Sequence, residues 1–279
     1  MKSIFQQPEF YKFLESTGFL EPFRYSVERD GKEIGVIQGF LQKDGGWLKR
    51  FFSRRAIING GPWLDEDITD EEVGNLLKKC IEGLKKKAIY IETRNYFDFS
   101  KYKHIFEKTG FVYEPHYDFI VDTNSIEVME SNMGKSRKRD INASIKQGVT
   151  IVDNPTEAEV TEFYAILEEL YKKKVKTPLF SKDFFLKLWL VPFSKFILVK
   201  LQDEIIGGTV CIHDDETVFE WFACGKDGVY KNVFPSTFAT YYGIRFAAEN
   251  GFRKFDMMGA GAPGDGGYGV REFKTKFGG

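Results

Sequence analysis

The amino-acid sequence predicts a mixed α/β chain, α+β in detail, made of two similar domains in tandem with a helical insert in the second. One observation is an order of hairpin, strand, helix and strand that occurs twice, about 170 residues apart. A weak internal repeat of this kind points to one supersecondary plan used twice. Another is the match of "YSVERDGKEIGVIQGF" with "FILVKLQDEIIGGTVCI", which sets Ile34-Gly35 against Ile206-Gly207. The third is a run of helical segments between the copies. The expected domains are 1–123 and 124–279, joined near Asp122 to Ser125, with the insert over 126–191.

The first copy opens on "PEFYKFLEST", a short amphipathic helix. "FRYSVERDGKEIGVIQGFLQ" reads as two strands around Asp30-Gly31, a dipeptide that favours tight hairpin turns because both residues tolerate positive φ. "RRAIINGGPWLD" is a strand ending in a Gly-Gly-Pro turn. Val73, Leu76, Leu77, Cys80, Ile81 and Leu84 recur at helical spacing, with Thr69 or Asp70 as N-cap. "AIYIET" reads as a buried strand, "KYKHIFEKTG" as a short helix, and "HYDFIVDT" as the strand that closes this copy.

The insert holds a basic helix in "MGKSRKRDINASIKQGV" that stops at Gly148. A second helix lies in "TEAEVTEFYAILEELYKKKVK", capped at Asn154 or Thr156, and a third in "SKDFFLKLWLVP". In the second copy "VFEWFACG" is a strand and "PSTFATYYGIRFAAENG" a helix. Pro235 suits its first turn, where no N–H is needed, and Gly251 suits its end. "RKFDMMG" is the next strand. The chain then stops at Phe277-Gly278-Gly279, so a closing strand like "HYDFIVDT" is expected to be missing from this copy.

A hydrophobic content of 42% with 29% charged residues is that of an ordinary globular chain. No stretch approaches the ~20 apolar residues of a membrane span, and the N-terminus has no signal-peptide pattern. Cys80, Cys211 and Cys224 are too far apart for a metal spacing or a disulfide framework, so a reduced, cytoplasmic setting is expected. The net charge of −1 argues against a dedicated DNA-binding protein.

Several motifs fail on inspection. Gly259-Ala260-Gly261-Ala262-Pro263-Gly264 spells G-x-G-x-x-G after a strand, but Asp-Gly-Gly-Tyr-Gly follows and starts a helix poorly. A dinucleotide fingerprint needs that helix to hold pyrophosphate. The stretch is therefore expected to be a loop. Gly134-Lys135-Ser136 lacks the upstream glycine of a phosphate loop, where Met129 stands. His104, His116 and His213 are isolated, and no metal site is expected. The basic run Lys135, Arg137, Lys138, Arg139 with Lys146 fits either a solvated helix face or a contact for phosphate. Lysines 172 to 174 fit a helix C-terminus through its dipole, or a cationic pocket lip.

These residues also carry a family resemblance. "NGGPW" (59–63), "RKRDINASIKQGV" (137–149), "EIIGGTVCI" (204–212), "YKNVFPS" (230–236), "AAENGFRKFDMMGAG" (247–261) and "YGVREFKTKFGG" (268–279) resemble the FemABX peptidyltransferases. The resemblance implies two tandem GNAT-like (acyl-CoA N-acyltransferase) domains. It implies aminoacyl transfer from aminoacyl-tRNA to an amine of a peptidoglycan precursor stem peptide, with no cofactor. It leaves association with a membrane surface open. Lys274 is then the expected catalytic cation, facing the charge that develops on the tetrahedral intermediate. Arg271 and Lys276 come next, with Tyr268, Tyr230, Lys176 and Arg139 as substrate-binding residues.

The chain departs from the family in lacking a long coiled-coil pair and in carrying lysines in "YKKKVKTP" where relatives tend to have arginine. Two alternatives stand beside this reading. One is a coenzyme A-dependent N-acyltransferase, although the bulky turn "CGKDGVYKNVFPS" and Pro235 crowd the place where such an enzyme would hold pyrophosphate. The other is a non-catalytic module that binds a cell-wall precursor.

Overall fold

The computed structural model describes residues 3–42, 53–175 and 178–279. Two compact units divide the chain, Met1–Glu114 and Pro115–Gly279. In the first, α1 (Pro8–Ser16) precedes a hairpin of β1 (Glu21–Arg29) and β2 (Lys32–Gln42). Its turn residues Asp30 and Gly31 have φ of 52° and 74°, as a tight hairpin turn between right-twisted strands requires. β3 (Arg55–Asn59) and β4 (Trp63–Leu64) pair with β2, and β5 (Tyr90–Arg94) pairs with β3 in parallel. α2 (Asp70–Leu84) packs on β1 and β2 through Val73, Leu76, Leu77, Cys80 and Leu84. Thr69 caps it, and Glu72 closes a reciprocal capping box. α3 (Lys103–Lys108) completes this unit among the described residues.

The second unit begins earlier than the expected join. β6 (Asp118–Asp122), the strand of "HYDFIVDT", does not close the first sheet. It pairs antiparallel with β11 (Lys254–Gly259) of the second. The closing strand expected to be missing there is thus supplied from upstream, and among the described residues β5 is left as an edge. That is why β5, expected to be buried, is only partly covered and exposes Tyr90.

α4 (Ile126–Asn132) and α5 (Lys135–Lys146) follow. The segment expected to be purely helical then contributes a strand, β7 (Val149–Val152), whose pairing with β8 (Ser194–Leu201) extends the second sheet. α6 (Glu157–Leu170) runs on into a wider turn at Tyr171–Val175, and α7 (Lys182–Trp189) leads to β8. β9 (Glu204–His213), β10 (Thr217–Gly225) and α8 (Pro235–Glu249) precede β11. The strand order is β6-β11-β10-β9-β8-β7. The glycine stretch after β11 is a loop over 260–267, as expected, and a last helix, α9 (Tyr268–Thr275), follows it. It opens at the end of the glycine run, with Gly267 as N-cap and Gly269 in its first turn.

Gly207 and Gly208 on β9 explain how the sheet is sandwiched. A Cβ on Gly207 would meet Pro235 at the start of α8, and one on Gly208 would meet Phe163 of α6. Adjacent strand residues face opposite sides, so the two helices cover opposite faces. At Gly207 the added Cβ would also lie 2.7 Å from the Cys224 carbonyl oxygen and 2.9 Å from Gly225 Cα. These are backbone atoms and cannot swing away. Gly207→Ala is therefore expected to destabilise the second unit by about 2 kcal/mol, as overpacking does. Gly74→Ala on α2 is the contrast: its Cβ would meet only Ile105 at 3.6 Å, and removing a helical glycine should stabilise by about 0.5–1 kcal/mol. Urea denaturation of both variants checks the pair.

Candidate active site

The site begins with a parting of strands. β10 and β11 run parallel but pair only over Thr217–Phe219 and Lys254–Asp256. Beyond that, β10 stays with β9 as far as Gly225, while β11 turns to β6 and sets Gly259 opposite Asp118. The corresponding strands of the first unit, β3 and β5, stay paired along all five residues of each. The wedge is thus a property of the second copy.

Irregular backbone on both strands widens it. The register shifts between Glu220 and Phe222 on β10, and between Asp256 and Gly259 on β11. Met258 has φ of 61°, which costs a side-chain-bearing residue roughly 1 kcal/mol or more. The Met258 N–H donates to Asp256 Oδ1 at 2.7 Å, and this bond holds the bend. Unpaired carbonyls of the end of β11 are left facing the wedge, where they need donors.

α9 supplies them. Lys274 Nζ donates to the carbonyls of Met257, Met258 and Gly259 at 2.5, 3.0 and 3.1 Å. An ammonium has three N–H donors, and all are engaged. Burial lowers the Lys274 pKa, and the negative charges of Glu220, Asp118 and Asp256 oppose that shift. Glu220 is buried, and its Oε1 accepts from Thr240 Oγ1 at 2.8 Å and Thr209 Oγ1 at 3.1 Å. Burial pushes its carboxyl up, against the two threonine bonds and the Lys274 charge. Asp256 is 2% exposed. Burial first, and then the neighbouring Asp118, push its carboxyl up to about 8. One ammonium and two carboxyl groups, those of Glu220 and Asp256, thus belong to the two strands that separate, while Asp118 stands on β6 at the other side of β11.

The rest of α9 serves the glycine loop. Arg271 Nε donates to the Ala260 carbonyl at 3.1 Å, and its Nη2 donates to the Ala262 carbonyl and to Asp265. Its guanidinium also lies over the rings of Tyr117 at 4.8 Å and Tyr268 at 5.7 Å. Asp265 accepts from the N–H groups of Gly267 and Ala262, both at 2.8 Å, and these bonds hold its carboxyl below its usual range. Arg271 therefore braces the loop from inside, while Tyr268 is 70% exposed.

The other expected residues lie on different elements. Lys276 pairs with Glu272 one turn earlier. Tyr230 donates to Glu204 at 2.5 Å, and Lys226 pairs with the same carboxylate. Arg139 points outward, its side chain 77% exposed, and pairs with Asp140. Lys176 lies outside the described residues. Lys172 and Lys173 pair with Glu168 and Glu169 one turn back.

The structure also separates Arg137 from its basic neighbours. Arg137 falls on the face of α5 that carries Ile141 and Ser144 at helical spacing, and its side chain is 11% exposed. At the start of α8, the backbone donors are met from within the protein. Phe234 N donates to Ser144 Oγ at 3.0 Å, Pro235 has no N–H, and Ser236 N donates to Asp227 Oδ1 at 3.3 Å.

A sheet opened between parallel strands fits an acyltransferase of the acetyltransferase-like class, here built as two units. The chain belongs to the acetyltransferase (GNAT) domain family, whose model matches residues 133–275, just over half of the sequence. Its fold is similar to that of FemX, with a TM-score of 0.72 at 14% identity, over 99% of this chain and 89% of that one. It is also similar to L-PGS from Bacillus licheniformis, with a TM-score of 0.57 at 17% identity, over 94% and 81% of the two chains. A further similar structure is the C-terminal DUF2156 domain of an Agrobacterium fabrum protein assigned as a lysylphosphatidylglycerol synthetase. There the TM-score is 0.61 at 13% identity, over 95% and 82%. No curated protein matches the chain in sequence. The FemX-like tandem fold expected from the sequence is the fold observed.

Proposed function

We propose that the second unit transfers an aminoacyl group from aminoacyl-tRNA to a primary amine of a peptidoglycan precursor stem peptide, without coenzyme A. The observation that carries this reading is the Lys274 ammonium held at the open end of β11. In the proposed reaction the amine nitrogen bonds to the ester carbonyl carbon, and negative charge gathers on the carbonyl oxygen. The bond from Lys274 to the Gly259 carbonyl lies on the exposed side. The developing oxyanion takes over that donor, so the interaction strengthens only as charge forms. The C–O ester bond then breaks, and the ribose oxygen leaves with a proton. No cysteine serves as nucleophile: burial pushes the Cys80 thiol up to about 12 and those of Cys211 and Cys224 higher still, and the thiolate is the reactive form.

The start of α8 supports the choice of donor. An acetyltransferase on this plan binds pyrophosphate at that turn, where free N–H groups and the helix dipole attract anions. Here the Asp227 carboxylate already stands against Ser236, so a second anion would meet like charge and no free donor on those residues. The fold similarity to FemX and L-PGS supports the same class of reaction. Charged tRNA as donor implies a cytoplasmic reaction, and no described helix is long and apolar enough to cross a membrane.

The test is incubation with charged tRNAs and lipid-free or lipid-linked muropeptide precursors, with and without acetyl-CoA, read by mass spectrometry. The expected product carries one added aminoacyl residue and forms only with charged tRNA. Acetylated precursor, formed only with acetyl-CoA, would overturn the reading in favour of the coenzyme A enzyme.

A further inference from the structure

Helix α5 breaks a local rule that α4, α6 and α7 keep. The partial positive charge of a helix N-terminus favours acids in the first turn and disfavours cations. α4 opens on Glu127, α6 on Glu157 and Glu159, and α7 on Asp183. α5 has no acid there and no side-chain cap, and sets Lys135, Arg137 and Lys138 in that turn. Arg137 is used inside the protein, against Asp140, Thr237 and Phe273. The other cations face out. Lys135, Lys138, Arg139 and Lys146 are exposed and, with Asn142, recur at i, i+3, i+4, i+7 and i+11, which is one stripe of a helix. The stripe contains no acid, and at 1.5 Å per residue it is about 16 Å long. Among the described residues Lys135, Lys138 and Lys146 have no carboxylate partner. Elsewhere in this unit helical cations are met one turn away, Lys172 by Glu168, Lys187 by Asp183, Arg245 by Glu249 and Lys276 by Glu272. In a chain of net charge −1 the stripe is a local excess. A feature that works against its own helix points to function rather than stability, and a cationic stripe attracts an outside anion.

We propose that this outer stripe of α5 holds the phosphate backbone of the tRNA acceptor end while its aminoacyl ester lies at the wedge. The proposal rests on the aminoacyl-tRNA reading above. Position selects the anion. The Gly134 N–H donates to the Lys276 carbonyl at 2.9 Å, and Arg137 donates to the Phe273 carbonyl. α5 therefore starts beside the last turn of α9, the turn that carries Lys274, and the stripe leads away from there. An ester at Lys274 sits on the end of a polynucleotide, whose phosphates also lead away from the reacting carbon. Lysines act on phosphates as point charges, so the hold is independent of base sequence. A helix seated in a membrane would turn a broad apolar face to lipid. α5 buries Ile141 within the unit, and its one exposed large apolar side chain, Ile145, lies at the margin of the stripe.

The test is the triple variant Lys135→Ala, Lys138→Ala, Lys146→Ala. It should fold as wild type does, with Tm unchanged or slightly raised, because alanine favours helix and two cations leave the positive end. Its affinity for tRNA, read by fluorescence anisotropy, should fall at least about 10-fold at about 0.1 M salt. The slope of log affinity against log salt should become shallower by about 2, since each lost phosphate contact removes about 0.7–0.9. With charged tRNA as donor, kcat/KM should fall by a similar factor through KM. Transfer from an aminoacylated adenosine, too short to lie along α5, should keep its rate. A variant with the wild-type salt slope, or one that slows both donors alike, overturns the proposal and leaves the aminoacyl-transfer reading standing. A variant whose only loss is binding to phosphatidylglycerol vesicles also overturns it, and makes the stripe a membrane contact. If wild type transfers from neither donor, the reading of the function falls and this surface with it.

Discussion

Lys274→Met is expected to lower both the stability of the second unit and the rate of transfer, each by a large factor. The methionine has no donor for the carbonyls of Met257, Met258 and Gly259. It also leaves Glu220 without its nearby positive charge. Removing one member of a buried charged set costs about 3 kcal/mol or more, because the partners remain uncompensated. The bend at Met258 then loses one of its two anchors, with the bond to Asp256 as the other. In single-turnover transfer, corrected for the folded fraction, the rate should fall by about 100- to 1000-fold, as when an oxyanion donor is removed. Lys274→Arg keeps the charge, but its planar fork cannot serve three carbonyls that converge on a point. It should therefore be intermediate in both respects. A folded Lys274→Met enzyme with an unchanged rate would leave Lys274 as a clamp on β11 and nothing more.

Arg137→Ala should be the next most damaging change, although Arg137 lies outside the wedge. Its guanidinium stacks on Phe273 at 4.4 Å and on Phe277 at 5.2 Å. It donates to Thr237 Oγ1 and to the Phe273 carbonyl, both at 3.2 Å, and stands 3.6 Å from Asp140. One side chain thus ties α5 to the start of α8 and to α9, the helix that carries Lys274. Truncation leaves Asp140 buried beside only the outward Arg139. The expected loss is about 3 kcal/mol, a fall in Tm of roughly 6–12 °C for a unit of this size. Transfer should weaken as well, because α9 loses its brace. A thermal melt of the variant beside Arg139→Ala checks this, and the exposed Arg139 change should move Tm little.

Local chemistry was legible where it decides local structure. Asp30-Gly31 marks the hairpin, Thr69 caps α2, and Pro235 opens α8, because each acts within one turn of chain. Strand partnership is different. "HYDFIVDT" alternates like any edge strand, and nothing within it says which sheet it joins. The internal repeat suggested the first; the pairing with β11 decides for the second. Lys274, Arg271 and Tyr268 were singled out by the resemblance of "YGVREFKTKFGG", but the helix that carries them was not read from the sequence. The carboxyl groups around it were passed over, yet they had a signal. Glu220 stands in "VFEWF" and Asp256 in "KFDMM", each an acid within an apolar strand, where burial is costly without a compensating partner. Arg137 had one too: it falls at i, i+4 and i+7 with Ile141 and Ser144, on the inner stripe of its helix rather than the solvated one.

The claim on which the account depends is that acyl transfer takes place where β10 and β11 part. A hydrolysis-resistant amide of an aminoacylated adenosine can be titrated into the isotope-labelled protein and followed by backbone amide NMR. The account predicts that shifts concentrate at Glu220–Phe222 and Met257–Gly261, and weaken in Lys274→Met. Shifts that avoid both strands, or that are the same with and without Lys274, would contradict it.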